Sequence, residues 1–123
     1  MIEGGCFCGA IRYAIEDGEY IVANCHCTMC RRTSGAPFVT WIVVPDSAFQ
    51  YTKGEPRTLQ SSESGTRHFC ESCGTPLTCI NTEHPGKIDI TTGSLDDPAD
   101  FPPKFAVYDD TKLEWLSTTE VPG

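Results

Sequence analysis

The chain has 123 residues, 39% hydrophobic and 21% charged, the size and make-up of a single domain, 1–123, with a modest core. Its formal charge of −8 excludes a surface built to neutralise phosphates, so neither nucleic acid nor an anionic membrane is an expected partner. No stretch approaches the length of a membrane span, and the start, MIEGGCFCGAIRY, has no basic segment followed by an apolar run; a cytoplasmic protein is expected.

The first cysteine pair, Cys6 and Cys8, lies in GGCFCG. AIRYAIE at 10–16 then alternates, with Ile11, Tyr13 and Ile15 on one face, and EYIVAN at 19–24 follows Asp17-Gly18. The pattern predicts a hairpin with a two-residue loop, Glu16 opposite Glu19 and Tyr13 opposite Val22. Extended outward, that register brings Cys8 toward Cys27. NCHCTMCRR at 24–32 packs Cys25, Cys27 and Cys30 into six positions, with a short helical turn expected near Cys30 to Thr33. SGAPF at 34–38 is turn-shaped backbone leading to FVTWIVV at 38–44, a β-branched and aromatic run that reads as a buried strand ending at Pro45.

Shorter strands are expected at FQYTK, RTLQS, TRHFC, LTCI, KIDIT, FAVY and EWLS, and helical turns at 46–48 and 94–97. Many short strands, Gly and Pro punctuation and no long amphipathic helix predict a mainly β fold of antiparallel sheets. The acidic, proline-rich DDPADFPPK at 96–104 reads as a surface excursion, with a lid over a site as the alternative.

Eight cysteines in a reducing compartment read as metal ligands in preference to disulfides. Cys70-x-x-Cys73 before Gly74 is a turn that aims two thiolates at one point, and Cys6-x-Cys8 can supply the other two of a closed four-cysteine site. That leaves Cys25, Cys27 and Cys30 as a three-thiolate site with one coordination position open, the arrangement of a zinc that does chemistry. A rival partition joins Cys6, Cys8, Cys25 and Cys27, and leaves Cys30, Cys70, Cys73 and Cys79 as a second closed site. Cys79 reads first as a small buried hydrophobe. His26 and His68 read as ordinary core or surface residues before ligands, and His84 as loop. Three thiolates make a metal a poor acidifier of water but a good host for a fourth sulfur, which points to thiol chemistry on an electrophilic carbon. Arg31 and Arg32, directly after the last ligand, read either as solvent-facing charge or as a clamp for a substrate carboxylate.

Taken in order, GGCFCGAIRY, CHCTMCRRTSGAPF and FCESCGTPL resemble the glutathione-dependent formaldehyde-activating enzyme family, which includes relatives of centromere protein V. All seven cysteines of that pattern are present. The resemblance implies a β-tent fold with two zinc ions, a structural one on Cys6, Cys8, Cys70 and Cys73 and a catalytic one on Cys25, Cys27 and Cys30. It also implies an activity, condensation of glutathione with formaldehyde to S-hydroxymethylglutathione. The expected function is a zinc-dependent carbon-sulfur lyase or synthase acting on a small thiol such as glutathione and a small aldehyde. The alternative is a non-catalytic zinc module of the same fold that binds another protein. A nucleobase deaminase would need H-x-E, which is absent, and a classical zinc finger would need paired histidines.

Overall fold

The computed structural model describes residues 1–116. Among the described residues, ten strands form two sheets. β1 (Ile2–Gly5), β2 (Arg12–Ile15) and β5 (Phe49–Lys53) make a three-stranded sheet in the order β1-β2-β5. The other sheet has seven strands in the order β10-β3-β4-β9-β8-β7-β6, with β3 (Ile21–Cys25), β4 (Val39–Pro45), β6 (Arg57–Gln60), β7 (Gly65–Phe69), β8 (Pro76–Asn81), β9 (Lys87–Thr91) and β10 (Phe105–Val107). Every pairing is antiparallel except β10 on β3. The single α-helix among the described residues, α1 (Thr28–Ser34), follows β3, and short 3-10 turns cover Asp46–Ala48 and Thr92–Ser94. The mainly β expectation therefore holds.

The expected hairpin across Asp17-Gly18 does not form. β2 pairs with β1 and β5, and β3 pairs with β4, so the chain changes sheet between them. The reason lies in Gly4 and Gly5. A Cβ at Gly4 would stand 2.5 Å from Tyr13 Oη, and one at Gly5 would run into the Ile11 carbonyl, so only glycine lets β1 lie this close to β2. The alternation of Tyr13, Ile15 and Val22 identified their common core correctly and their pairing wrongly. They meet from opposite sheets in one apolar cluster with Ile42, Val44 and Ile90. Cys8 accordingly approaches Cys70, at 3.7 Å between sulfurs, and not Cys27.

FVTWIVV is apolar at every position but Thr40 because β4 is covered on both faces. Ile42 and Val44 enter the cluster between the sheets, whereas Val39 and Trp41 pack on the far side with Cys25 and Cys30. That far side carries α1. The 96–104 segment is anchored and lines neither of the two cavities described below: Asp96 N–H donates to Glu3 O, Phe101 packs on the core, and Lys104 N–H donates to Val22 O. Of the strand expected at 114–117, residues 114–116 form a turn, and 117 lies outside the described residues.

Candidate metal centres and the adjoining cavity

Two reverse turns bring the first four thiols together. Cys6 and Cys8 lie in the turn after β1, closed by Gly9 N–H donating to Cys6 O at 3.1 Å; Cys70 and Cys73 lie in the turn between β7 and β8, closed by Gly74 N–H donating to Cys70 O at 2.7 Å. Gly9 (φ 81°) and Gly74 (φ 84°) are left-handed, which lets each chain fold back beneath its sulfurs. Phe7 N–H donates to Thr75 Oγ1 and ties one turn to the other. All four sulfurs lie within 4.8 Å of one another, with 3.6 Å between Cys6 and Cys8. Four sulfurs held tetrahedrally about zinc at about 2.3 Å are separated by about 3.8 Å, so the donor set and its spacing fit such an ion. Ile11 N–H donates to Cys6 Sγ at 3.3 Å, a bond that favours the thiolate.

The second cluster has three sulfurs within 4.8 Å: Cys25 at the end of β3, Cys27 as the N-cap of α1, and Cys30 one turn into the helix. Capping fixes this arrangement. Cys27 has an extended backbone (φ −69°, ψ 153°), and its sulfur accepts the Cys30 N–H at 3.2 Å, while Gly35 (φ 71°) terminates the helix by donating to Arg31 O. The proton is shared unequally among these thiols. Cys30 is held down to about 5, first by the hydrogen bond from Cys25 and also by the nearby Arg67 guanidinium, whereas Cys25 is pushed up, first by that same bond and then by burial. The alternative partition of the cysteines is not assembled. Cys79 packs against the edge of the three-sulfur cluster without joining either group, and burial pushes its thiol up to about 11.

Arg67 is the residue that sequence reasoning passed over. It projects from β7 so that Nη2 lies 3.5 Å from Cys30 Sγ and Nη1 donates to Thr33 Oγ1 at 3.2 Å, with the guanidinium 5.8 Å from the centre of the Trp41 ring. In register, Arg67 opposes Cys79 and Cys79 opposes Asp89, so all three share the face that carries α1. The only signals in the sequence were a base in TRHFC and an acid in KIDIT, charges in the middle of otherwise strand-like runs.

A cavity of about 310 Å3 opens beside the cluster, lined by Arg67 and Trp41 among others. Arg31 and Arg32 line a separate open cleft of about 440 Å3 with Gly35, Ala36, Pro37 and Leu113. His26, expected as an ordinary core or surface residue, is fully inside the protein, its ring 5.2 Å from that of Phe38 and its backbone clasped by Val107 O and Thr111 Oγ1. His68 lines the 310 Å3 cavity, with Nδ1 3.1 Å from Thr78 Oγ1. His84 is exposed, as the loop reading had it.

Residues 1–111, which carry both cysteine knuckles and the three-sulfur cluster, match a known sequence profile, that of the glutathione-dependent formaldehyde-activating enzymes. The chain belongs to this family. Within the glutathione-dependent formaldehyde-activating family, a Halomonas elongata protein provisionally named for that activity is 26% identical over 94% of this chain and 80% of its own length. An uncharacterized lyase of Schizosaccharomyces pombe is 31% identical over 61% of this chain and 54% of its own length. A crystal structure of a Rhodobacter sphaeroides protein has the same fold, with a TM-score of 0.70 at 21% identity, covering 85% of this chain and 99% of that one. No helix among the described residues is long and apolar enough to cross a membrane.

Proposed function

We propose that this chain is a zinc-dependent carbon-sulfur lyase or synthase that makes and breaks thiol-aldehyde adducts, in the manner of an S-(hydroxymethyl)glutathione synthase. In this reading Cys6, Cys8, Cys70 and Cys73 hold a structural zinc, and Cys25, Cys27 and Cys30 hold a catalytic one. The observation that carries it is the contrast in donor number: four sulfurs close one cluster, and three make up the other, beside a cavity. Family membership and the lyase name of the S. pombe relative support the same reaction class. Bound to three thiolates, zinc would supply a soft centre at which an incoming thiol is held deprotonated.

The protein's own groups do the rest. Arg67 offsets negative charge accumulating at Cys30, which otherwise opposes the arrival of another anion. Arg31 and Arg32, in the cleft on α1 and the loop after it, serve as the clamp for a thiol's carboxylate. His26 is buried and lines neither cavity, so in this reading protons leave and enter through water.

The test is exchange NMR on glutathione and formaldehyde with the zinc-loaded protein. Native mass spectrometry should find two zinc ions per chain, and the exchange between free formaldehyde and its glutathione adduct should accelerate in proportion to protein. Two ions without acceleration for formaldehyde or any larger aldehyde would mean a non-catalytic zinc-binding protein-interaction module instead.

A further inference from the structure

Sulfur and charge account for the cluster but not for the cavity of about 310 Å3 beside it. Its apolar walls are Val39, Trp41, Leu59, Phe69 and Pro76. The hydroxyls that reach it are already engaged. Thr33 Oγ1 donates to Met29 O and accepts from Arg67; Ser34 Oγ donates to Cys30 O and accepts from Ala36 N–H; Thr78 Oγ1 lies between Tyr51 Oη and His68 Nδ1. Burial lowers the His68 imidazole from its ordinary range, so it is neutral near pH 7. The charged group among the lining residues is Arg67, whose Nη1 and Nη2 are held by Thr33 and Cys30. Val39 and Trp41 also pack on Cys25 and Cys30, so the cavity reaches within one side chain of the three sulfurs.

We propose that this cavity is a subsite for a ring-sized apolar group, and that the chain handles adducts of a thiol with an aromatic or branched aldehyde in preference to formaldehyde. The inference rests on the carbon-sulfur reading above. Size decides it: an apolar cavity of about 150 Å3 already holds benzene, and this one is about twice that, whereas formaldehyde brings no substituent to fill it. In the synthetic direction the thiol sulfur bonds to the aldehyde carbon, the carbonyl π pair moves onto oxygen, and the thiol proton ends on that oxygen. The product is a hemithioacetal, and no oxidant or leaving group is involved. The Arg67 guanidinium on the cavity wall offsets the charge that develops on that oxygen, and the aldehyde's substituent enters the apolar walls.

The test has two arms on the zinc-loaded protein. In the first, 4-fluorobenzyl alcohol is titrated and followed by 19F NMR, with wild type compared against Leu59→Trp, which fills the cavity from an edge strand and leaves the core alone. Saturable binding weakened at least tenfold by the substitution is expected. No binding, equal binding to both proteins, or displacement of the probe by glutathione alone would overturn the subsite. In the second arm, exchange NMR compares benzaldehyde with formaldehyde, each with glutathione, and the aromatic aldehyde is expected to have the larger kcat/KM. A preference for formaldehyde overturns the specificity while leaving the carbon-sulfur reading intact. Acceleration of neither aldehyde, with the probe still bound and displaced by Leu59→Trp, would support the subsite and sink the carbon-sulfur reading.

Discussion

Arg67 Nη2 lies 3.5 Å from Cys30 Sγ, bringing a cation from the middle of a strand to a thiolate on a helix. A hydrogen bond to a ligating sulfur stabilises its charged form, and such outer partners are typically worth 10- to 100-fold in metal affinity. Arg67→Leu removes the donor and leaves a shorter, apolar side chain in its place. It should weaken zinc at the three-sulfur cluster by about tenfold or more and leave the four-sulfur cluster unaffected. Arg67→Lys should fall between, since an ammonium cannot bond Cys30 and Thr33 with one planar fork. Competition against a chromophoric chelator measures both sites, and equal affinities in all three proteins would remove Arg67 from the account.

The two clusters should also differ in what their loss does. Cys73 belongs to the knuckle that clips β7 and β8 to the N-terminal turn, so Cys73→Ala should unfold the chain or lower its melting temperature steeply. Cys27→Ala removes one ligand and a helix cap, the latter costing about 0.5–2 kcal/mol, and should leave a folded protein with one zinc and no turnover. Circular dichroism melts paired with metal analysis distinguish the cases; collapse in both variants would make both sites structural.

Most of this organisation is legible in the residues, and the failures have physical causes. The CxxC spacing before Gly74 is local, so the turn it dictates was readable before the fold, and the CxC pair was readable as its partner. Strands such as FVTWIVV and KIDIT declare themselves through β-branched residues. The Asp17-Gly18 hairpin failed because alternation reports which face a residue takes and not which strand lies beside it. Gly4 and Gly5 decided the partner by permitting an approach that any side chain would block. Arg67 escaped notice because its role depends on Cys30, 37 residues away in the chain, and nothing local to TRHFC encodes that contact.

Glycines at the knuckles and in β1 should respond differently to alanine. At Gly74 the added Cβ meets nothing within 4 Å, so Gly74→Ala carries only the cost of a left-handed backbone, about 1–2 kcal/mol. At Gly4 the Cβ would fall 2.5 Å from Tyr13 Oη and 2.6 Å from the Ser94 carbonyl, so Gly4→Ala must displace β1 or break the Tyr13 to Ser94 hydrogen bond. Urea melts should rank Gly4→Ala as the more damaging; the reverse order would mean that β1 shifts freely.

Asp89 gives the fold a dependence on pH that can be separated from that of the metal sites. Burial pushes its carboxyl up to about 6 from an ordinary 3.8, with His84 and Arg67 only partly opposing the shift and the charge on Cys30 adding to it. The folded state therefore binds this proton more tightly than the unfolded one. Stability from this group is fully present below the unfolded value and is lost as pH rises through about 6, the opposite of a salt-bridged carboxylate. The loss amounts to about 1–3 kcal/mol at neutral pH. Asp89→Asn mimics the protonated form, so it should raise the melting temperature at pH 7 by several degrees and make little difference at pH 4. Acid also strips metal from thiolates, so the informative quantity is the difference between variant and wild type at each pH, measured by calorimetry at saturating zinc. A difference that stays flat from pH 4 to 7 would show that the Asp89 carboxyl is not held in its protonated form by the fold.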